Sequence, residues 1–159
     1  GFASRVVLNP AMEMDSILVP MRDDTPIDTL IGYVSALVSN SDIGVTLLYL
    51  TDTDIETVDE ELADEEDEAR TSTMRRARNL LLERGVHAEK IEYDEVVTDT
   101  PVKTVSEYAD IHDTDAVVMM EGSGSIYSMI FGNETERVAA ESLGPVVVVR
   151  KLETDERAG

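Results

Sequence analysis

The sequence predicts an α/β fold: an open, doubly wound sheet of five parallel strands in the order 3-2-1-4-5. Helices cover both faces, making a three-layer sandwich. Three observations predict it. Short apolar runs alternate with longer amphipathic stretches, in the order β-α-β-α-β-α-β-α-β. Runs such as VTLLYL and VVVV lack polar alternation, as strands covered on both faces do. Pro and Gly stand at several of the boundaries, and right-handed crossovers between parallel strands then give the doubly wound arrangement. A length of 159 residues suits one domain.

Each element has its own warrant. SILVP (16–20) is a short apolar run closed by Pro20, a buried strand. In 26–40, Ile27, Leu30, Ile31, Val34, Leu37 and Val38 fall at helical spacing, with Pro26 suited to the first turn. IGVTLLYL (43–50) is the second strand. Residues 51–69 carry acids almost continuously and read as a loop leading into a solvated helical turn. The following helix sets Met74, Ala77, Leu80 and Leu81 on one side and stops at Gly85. Residues 87–97 alternate imperfectly, as an edge strand does. A helix over 101–113 opens on Pro101, and DAVVMM (115–120) is a fully apolar strand. After a glycine-bearing loop, 133–144 is a helix ended by Gly144 and Pro145, and 145–152 is the last strand. The domain therefore spans 15–152, between an N-terminal extension or linker (1–14) and a flexible tail (153–159).

Composition narrows the function. The chain has no cysteine, which excludes disulfides, thiol catalysis and Cys-based zinc sites, and fits a reducing cytoplasm. No apolar run reaches the roughly 20 residues a membrane helix needs. Thirty-four acids face thirteen basic residues, a net charge of -21, and only Lys90, Lys103 and Lys151 are lysines. Such a surface repels nucleic acid. Its acids are spread along the chain, with one dense block at 59–68, which fits adaptation to a salty cytoplasm better than one acidic docking patch. Screening within about 3 Å at 1 M salt removes most of the self-repulsion.

The loop MMEGSGSIYSMIFGN (119–133) lies where a doubly wound sheet binds ligands, beyond the carboxyl end of a strand. The loop after the first strand, Met21 to Thr25, opens at the same end. GxxxxGK[ST] and GxSxG are absent, and Tyr127 stands where GxGxxG needs its third glycine. What remains is Gly122-Ser123-Gly124-Ser125, able to present backbone N–H groups, and Gly132-Asn133 at a helix start that favours anions. The bland alternative is a tight turn followed by Asn133 as an N-cap, with Glu136 completing a capping box.

ILVP, TLLYL and GSGSIYSMIFGNETERVAAESLGPVVVVR together resemble the universal stress protein family, over residues 16–151. In its nucleotide-binding members the loop after the fourth strand reads G-x2-G-x9-G-[ST] and holds ATP phosphates. The resemblance places Gly122 and Gly132 on the second and third glycines, Met119 on the first, Asn133 on the Ser/Thr, and Thr135 on a further phosphate-side hydroxyl. The family's Asp after the first strand is Arg22 here, followed by Asp23 and Asp24. Main-chain contacts to the base are implied around Pro20, Met21 and Leu50. Two departures weaken the motif: Met119 puts a side chain where glycine gives a ligand room, and Glu121 adds negative charge beside a triphosphate. Arg22 is either a phosphate partner or a surface arginine paired with Asp23 or Asp24.

The remaining candidates are bland. His87 and His112 are isolated, so no metal site is expected, and the 59–68 acids lack the EF-hand spacing. Ser123, Ser125 and Ser128 have no adjacent His or Lys to activate them, so no enzyme is expected. The last strand, with Val146, Val147, Val148 and Val149, reads as an apolar edge open to pairing, unless residues 1–14 or the tail cover it. The resemblance implies a homodimer through these four valines. The expected function is a cytoplasmic regulatory domain with weak binding of ATP or another adenine nucleotide, with Mg²⁺. The alternatives are a cytoplasmic regulatory domain of a membrane transporter, which SRVVLNPAMEM at the start favours modestly, and a slow ATP hydrolase.

Overall fold

In the computed structural model, residues 14–52, 60–120 and 146–149 are described. The strands are β1 (Ser16–Met21), β2 (Gly44–Asp52), β3 (Ile91–Thr98), β4 (Ala116–Met120) and β5 (Val146–Val149). The described helices are α1 (Ile27–Val38), α2 (Glu60–Glu83) and α3 (Pro101–Ile111). All strand pairs are parallel, in the order β3-β2-β1-β4-β5, as the sequence predicts. The helix expected over 133–144, the glycine loop, residues 1–13 and the tail lie outside the described residues.

Strand alternation divides the core in two. Ile17, Val19 and Met21 of β1 join Val45, Leu47 and Tyr49 of β2 under α1 and α2. Leu18, Leu48, Leu50, Val117 and Met119 turn the other way, under Val102, Val105 and Ala109 of α3. The central strands therefore carry no polar face, which is why their sequences do not alternate. Full burial of each such side chain is worth about 1.5–3 kcal/mol. Among the described residues, no helix is long and apolar enough to cross a membrane.

The four valines of β5 follow the same alternation. Val147 and Val149 are buried in the core under α1 and α2. Val146 and Val148 are half-buried and pack against the α3-side core. Each is in register with a β4 residue: Val146 with Val117, Val147 with Val118, Val148 with Met119 and Val149 with Met120. Their side chains are thus engaged above and below the sheet. What an edge strand offers sideways is its backbone N–H and C=O groups.

Two local readings change. The acidic stretch expected to be loop is helical from Glu60, so α2 is one 24-residue helix. Its Glu, Ala and Leu are strong helix formers, and acids near a helix N-terminus complement its dipole. The edge strand starts later than 87: Ala88–Lys90 form a single 3₁₀ turn, and β3 begins at Ile91. Residues Glu92 to Glu95 are exposed, since no strand is paired beyond β3 among the described residues.

Polar contacts tie the elements together. Asp115 Oδ2 accepts the backbone N–H groups of Asp15 (2.7 Å) and Ser16 (3.0 Å), fastening the start of β4 to the start of β1. Arg76 of α2 donates to Asp28 of α1 through Nε (2.9 Å) and Nη2 (2.8 Å). That guanidinium holds the Asp28 carboxyl below its usual range.

Candidate functional site

The chain leaves the centre of the sheet in two directions, from β1 through β2 to β3 and from β4 to β5. The reversal falls between β1 and β4, where open α/β sheets bind ligands. β1 is in register with β2 over six residues, Ser16 to Met21. Its register with β4 covers only Ile17–Ala116 and Leu18–Val117. Both strands then run three residues further, to Met21 and Met120. Pro20 has no N–H to offer the ladder there. This leaves a gap in the ladder between the carboxyl ends of β1 and β4.

The side chains at these ends face away from it into the cores. Met21 is buried under α1 and α2, while Leu50 and Met119 are buried on the α3 side, and Pro20 is buried. These four positions can serve a ligand only through their backbone, as the base contacts inferred for Pro20, Met21 and Leu50 require. Met119 packs against the α3-side core.

Beyond β1 the chain turns sharply. The Arg22 N–H donates to Thr25 Oγ1 (2.9 Å), and the Thr25 N–H donates back to the Arg22 carbonyl (3.2 Å). This reciprocal closure delivers the chain to Pro26 and α1. Arg22 is half-buried in the turn, while Asp23 and Asp24 are exposed.

Tyr49 lies near the same end, on the α1–α2 side, and is 5% exposed. Burial pushes its phenol up to about 12, the Asp23 and Asp24 carboxylates adding to the rise while Arg70 and Arg22 oppose it. Arg70 also reaches β3, its Nε standing 2.7 Å from Glu95 Oε2. A neutral phenol and the Asp23 and Asp24 carboxylates therefore stand near the carboxyl ends of β1 and β2. Reading the sequence passed over Thr25 and Tyr49. The signals were a hydroxyl residue just before a helix-opening proline, and one polar-tipped ring in an apolar strand.

Gly122, Ser123, Gly124, Gly132, Asn133 and Thr135 lie outside the described residues. So does Glu121. His112 caps α3, and His87 precedes the turn into β3.

The model of the Universal stress protein family matches residues 13–150, nearly the whole chain. The chain belongs to the universal stress protein family. Solved universal stress protein structures resemble it over most of its length. One, in complex with cAMP, is 20% identical, covers 85% of this chain and 96% of its own, and superposes with a TM-score of 0.61. The universal stress protein UspA from Lactobacillus plantarum is 20% identical over 87% of this chain and 99% of its own, at a TM-score of 0.63. A universal stress protein family protein from Arabidopsis thaliana with AMP bound is 17% identical over 89% and 94%, at a TM-score of 0.59. No curated protein matches the chain.

Proposed function

We propose that this universal stress protein is a cytoplasmic regulatory module that binds adenine nucleotide weakly at the gap between β1 and β4, and that it works by interaction instead of catalysis. The observation that carries the reading is the end of the β1–β4 pairing three residues short of both carboxyl ends, at the point where the sheet reverses. Support comes from structural relatives holding cAMP and AMP. Backbone groups near Pro20, Met21 and Leu50 meet the base, and the donors of Gly122–Ser125 and Gly132–Thr135 meet the phosphates. Weakness follows from charge: Asp23, Asp24 and Glu121 oppose a polyphosphate, and Mg²⁺ offsets only part of that.

Calorimetry with ATP and Mg²⁺ in about 2 M KCl tests this, salt screening the nonspecific repulsion. Binding weaker than micromolar is expected, and Gly132→Val is expected to abolish it by placing a branched side chain where backbone meets phosphate. Absence of heat with the unmodified protein would remove the nucleotide; micromolar or tighter binding would remove the weak site.

We further propose a homodimer through β5. This strand pairs with β4 on one side, and among the described residues no strand pairs with its other edge. Because the side chains of Val147 and Val149 are buried and those of Val146 and Val148 half-buried, the pairing would run through backbone groups. Sedimentation at micromolar concentration in high salt should show a dimer; a single monomeric species contradicts it.

A further inference from the structure

A concavity lies at the amino end of the sheet. It is an open pocket of about 440 Å³ on the α3 side, walled by the starts of β1, β2 and β3 and the last turn of α3. Ser16 and Met21, at the two ends of β1, are separated by roughly 17 Å at about 3.3 Å per residue, so this pocket is distinct from the gap between β1 and β4. Its volume is far larger than a bare metal ion needs and within the range of small-molecule sites, roughly 300–1,000 Å³.

Its walls mostly accept hydrogen bonds. Ser16, Thr46 and Thr114 bring hydroxyls, and Glu92 brings an exposed carboxylate. Among the described residues, no lysine or arginine lines it. Ser16 Oγ donates to the Asp113 carbonyl (3.4 Å), leaving its oxygen free to accept. Tyr108 and His112 stack along one wall, ring centroids 4.1 Å apart and 28° from parallel. The Tyr108 hydroxyl donates to Asp94 Oδ2 (3.2 Å), bringing a second carboxylate alongside. Burial and both carboxylates hold that phenol neutral, pushing it up to about 12. Ile91 borders the pocket at the start of β3, its side chain packing against the core under α1 and α2.

We infer that this pocket binds a small organic cation, a primary ammonium on a short aliphatic chain. An anion would meet Glu92 and Asp94 on a chain of net charge -21. An ammonium group donates to the hydroxyl oxygens and to Glu92, places its charge between carboxylates and an aromatic wall, and rests its methylenes on the Tyr108 and His112 rings.

The test is a titration of the full chain with 1,4-diaminobutane, followed by amide chemical shifts in about 0.2 M and about 2 M KCl. Saturable one-site shifts at Thr46, Glu92, Tyr108, His112 and Thr114 are expected, persisting at the higher salt. Glu92→Gln, at an exposed position that does not threaten folding, should weaken them about tenfold. Thr46→Leu, which fills the pocket, should remove them. Glutarate, of similar length and opposite charge, should leave the same amides unmoved. Shifts that spread over the acidic surface and vanish at the higher salt would overturn the inference. So would equal binding by the Glu92 variant, or equal binding of glutarate.

Discussion

Tyr49 shows how one side chain couples strand burial to the chemistry of the sheet's carboxyl end. Its ring helps fill the core under α1 and α2, while its hydroxyl lies within the field of the β1–α1 turn. Because the folded phenol ionises near 12 and the reference phenol at 10.0, the folded state holds the proton more tightly. Its contribution to stability is therefore fully present below pH 10 and lost as pH rises toward 12. The loss in that window should be on the order of 2 kcal/mol. Denaturant unfolding at pH 9 and 11.5 should show Tyr49→Phe losing less stability between the two than the unmodified chain. Equal losses would mean that Tyr49 ionises alike in both states. Tyr108 adds to the same alkaline loss, so the double variant should be flatter still.

Two helix ends use one device with different residues. After α2, Val86 N–H bonds to the Leu81 carbonyl (3.0 Å) and Gly85 N–H to the Leu82 carbonyl (3.1 Å), with Gly85 at φ 93°. After α3, Thr114 N–H bonds to the Ala109 carbonyl (2.9 Å) and Asp113 N–H to the Asp110 carbonyl (3.3 Å), with Asp113 at φ 51°. Both are Schellman caps, and both need a left-handed residue. Nothing stands within 4 Å of a side chain built at Gly85, so the cost of Gly85→Ala is backbone strain alone. It should destabilise by about 1 kcal/mol, whereas Asp113→Gly should stabilise by up to about 0.5 kcal/mol. Urea midpoints that move in the same direction for both would contradict this account. Gly85 was readable as a helix stop because glycine announces a left-handed turn. Asp113 was not, because aspartate serves many turns and only the coordinates single out its φ.

At the scale of the molecule, charge dominates. A net charge of -21 with thirteen cations leaves most carboxylates to repel one another in dilute buffer. We expect the melting temperature to rise with KCl into the molar range, and a flat or falling profile would contradict salt adaptation. The architecture was readable across most of this length. β1, β2 and β4 are buried on both faces over most of their length, so each appears as a mostly apolar run without polar alternation. β3 was harder, because an edge strand with exposed acids resembles a loop. The start of α2 was lost for a related reason: a run of acids reads as solvated loop, although a helix with one face in water carries them readily. The candidate site was readable in part. Pro20, Met21 and Leu50 do stand at the carboxyl end of the sheet, but their side chains belong to the cores. The same holds at β5, where a uniform run of valines hid that Val147 and Val148 turn to opposite layers.

Local pattern, which depends on what each residue buries, determined the strands, the helices and their order along the chain. The glycine-bearing loop further determined the family likeness. Only the tertiary structure decided where β1 and β4 separate, and which side chains turn away from that gap. It also decided that Ser16, Thr46, Glu92, Tyr108 and Thr114 share one pocket. Those residues come from four elements and the connection before β4, up to 98 positions apart, and no local signal records a meeting that strand pairing and helix packing create together.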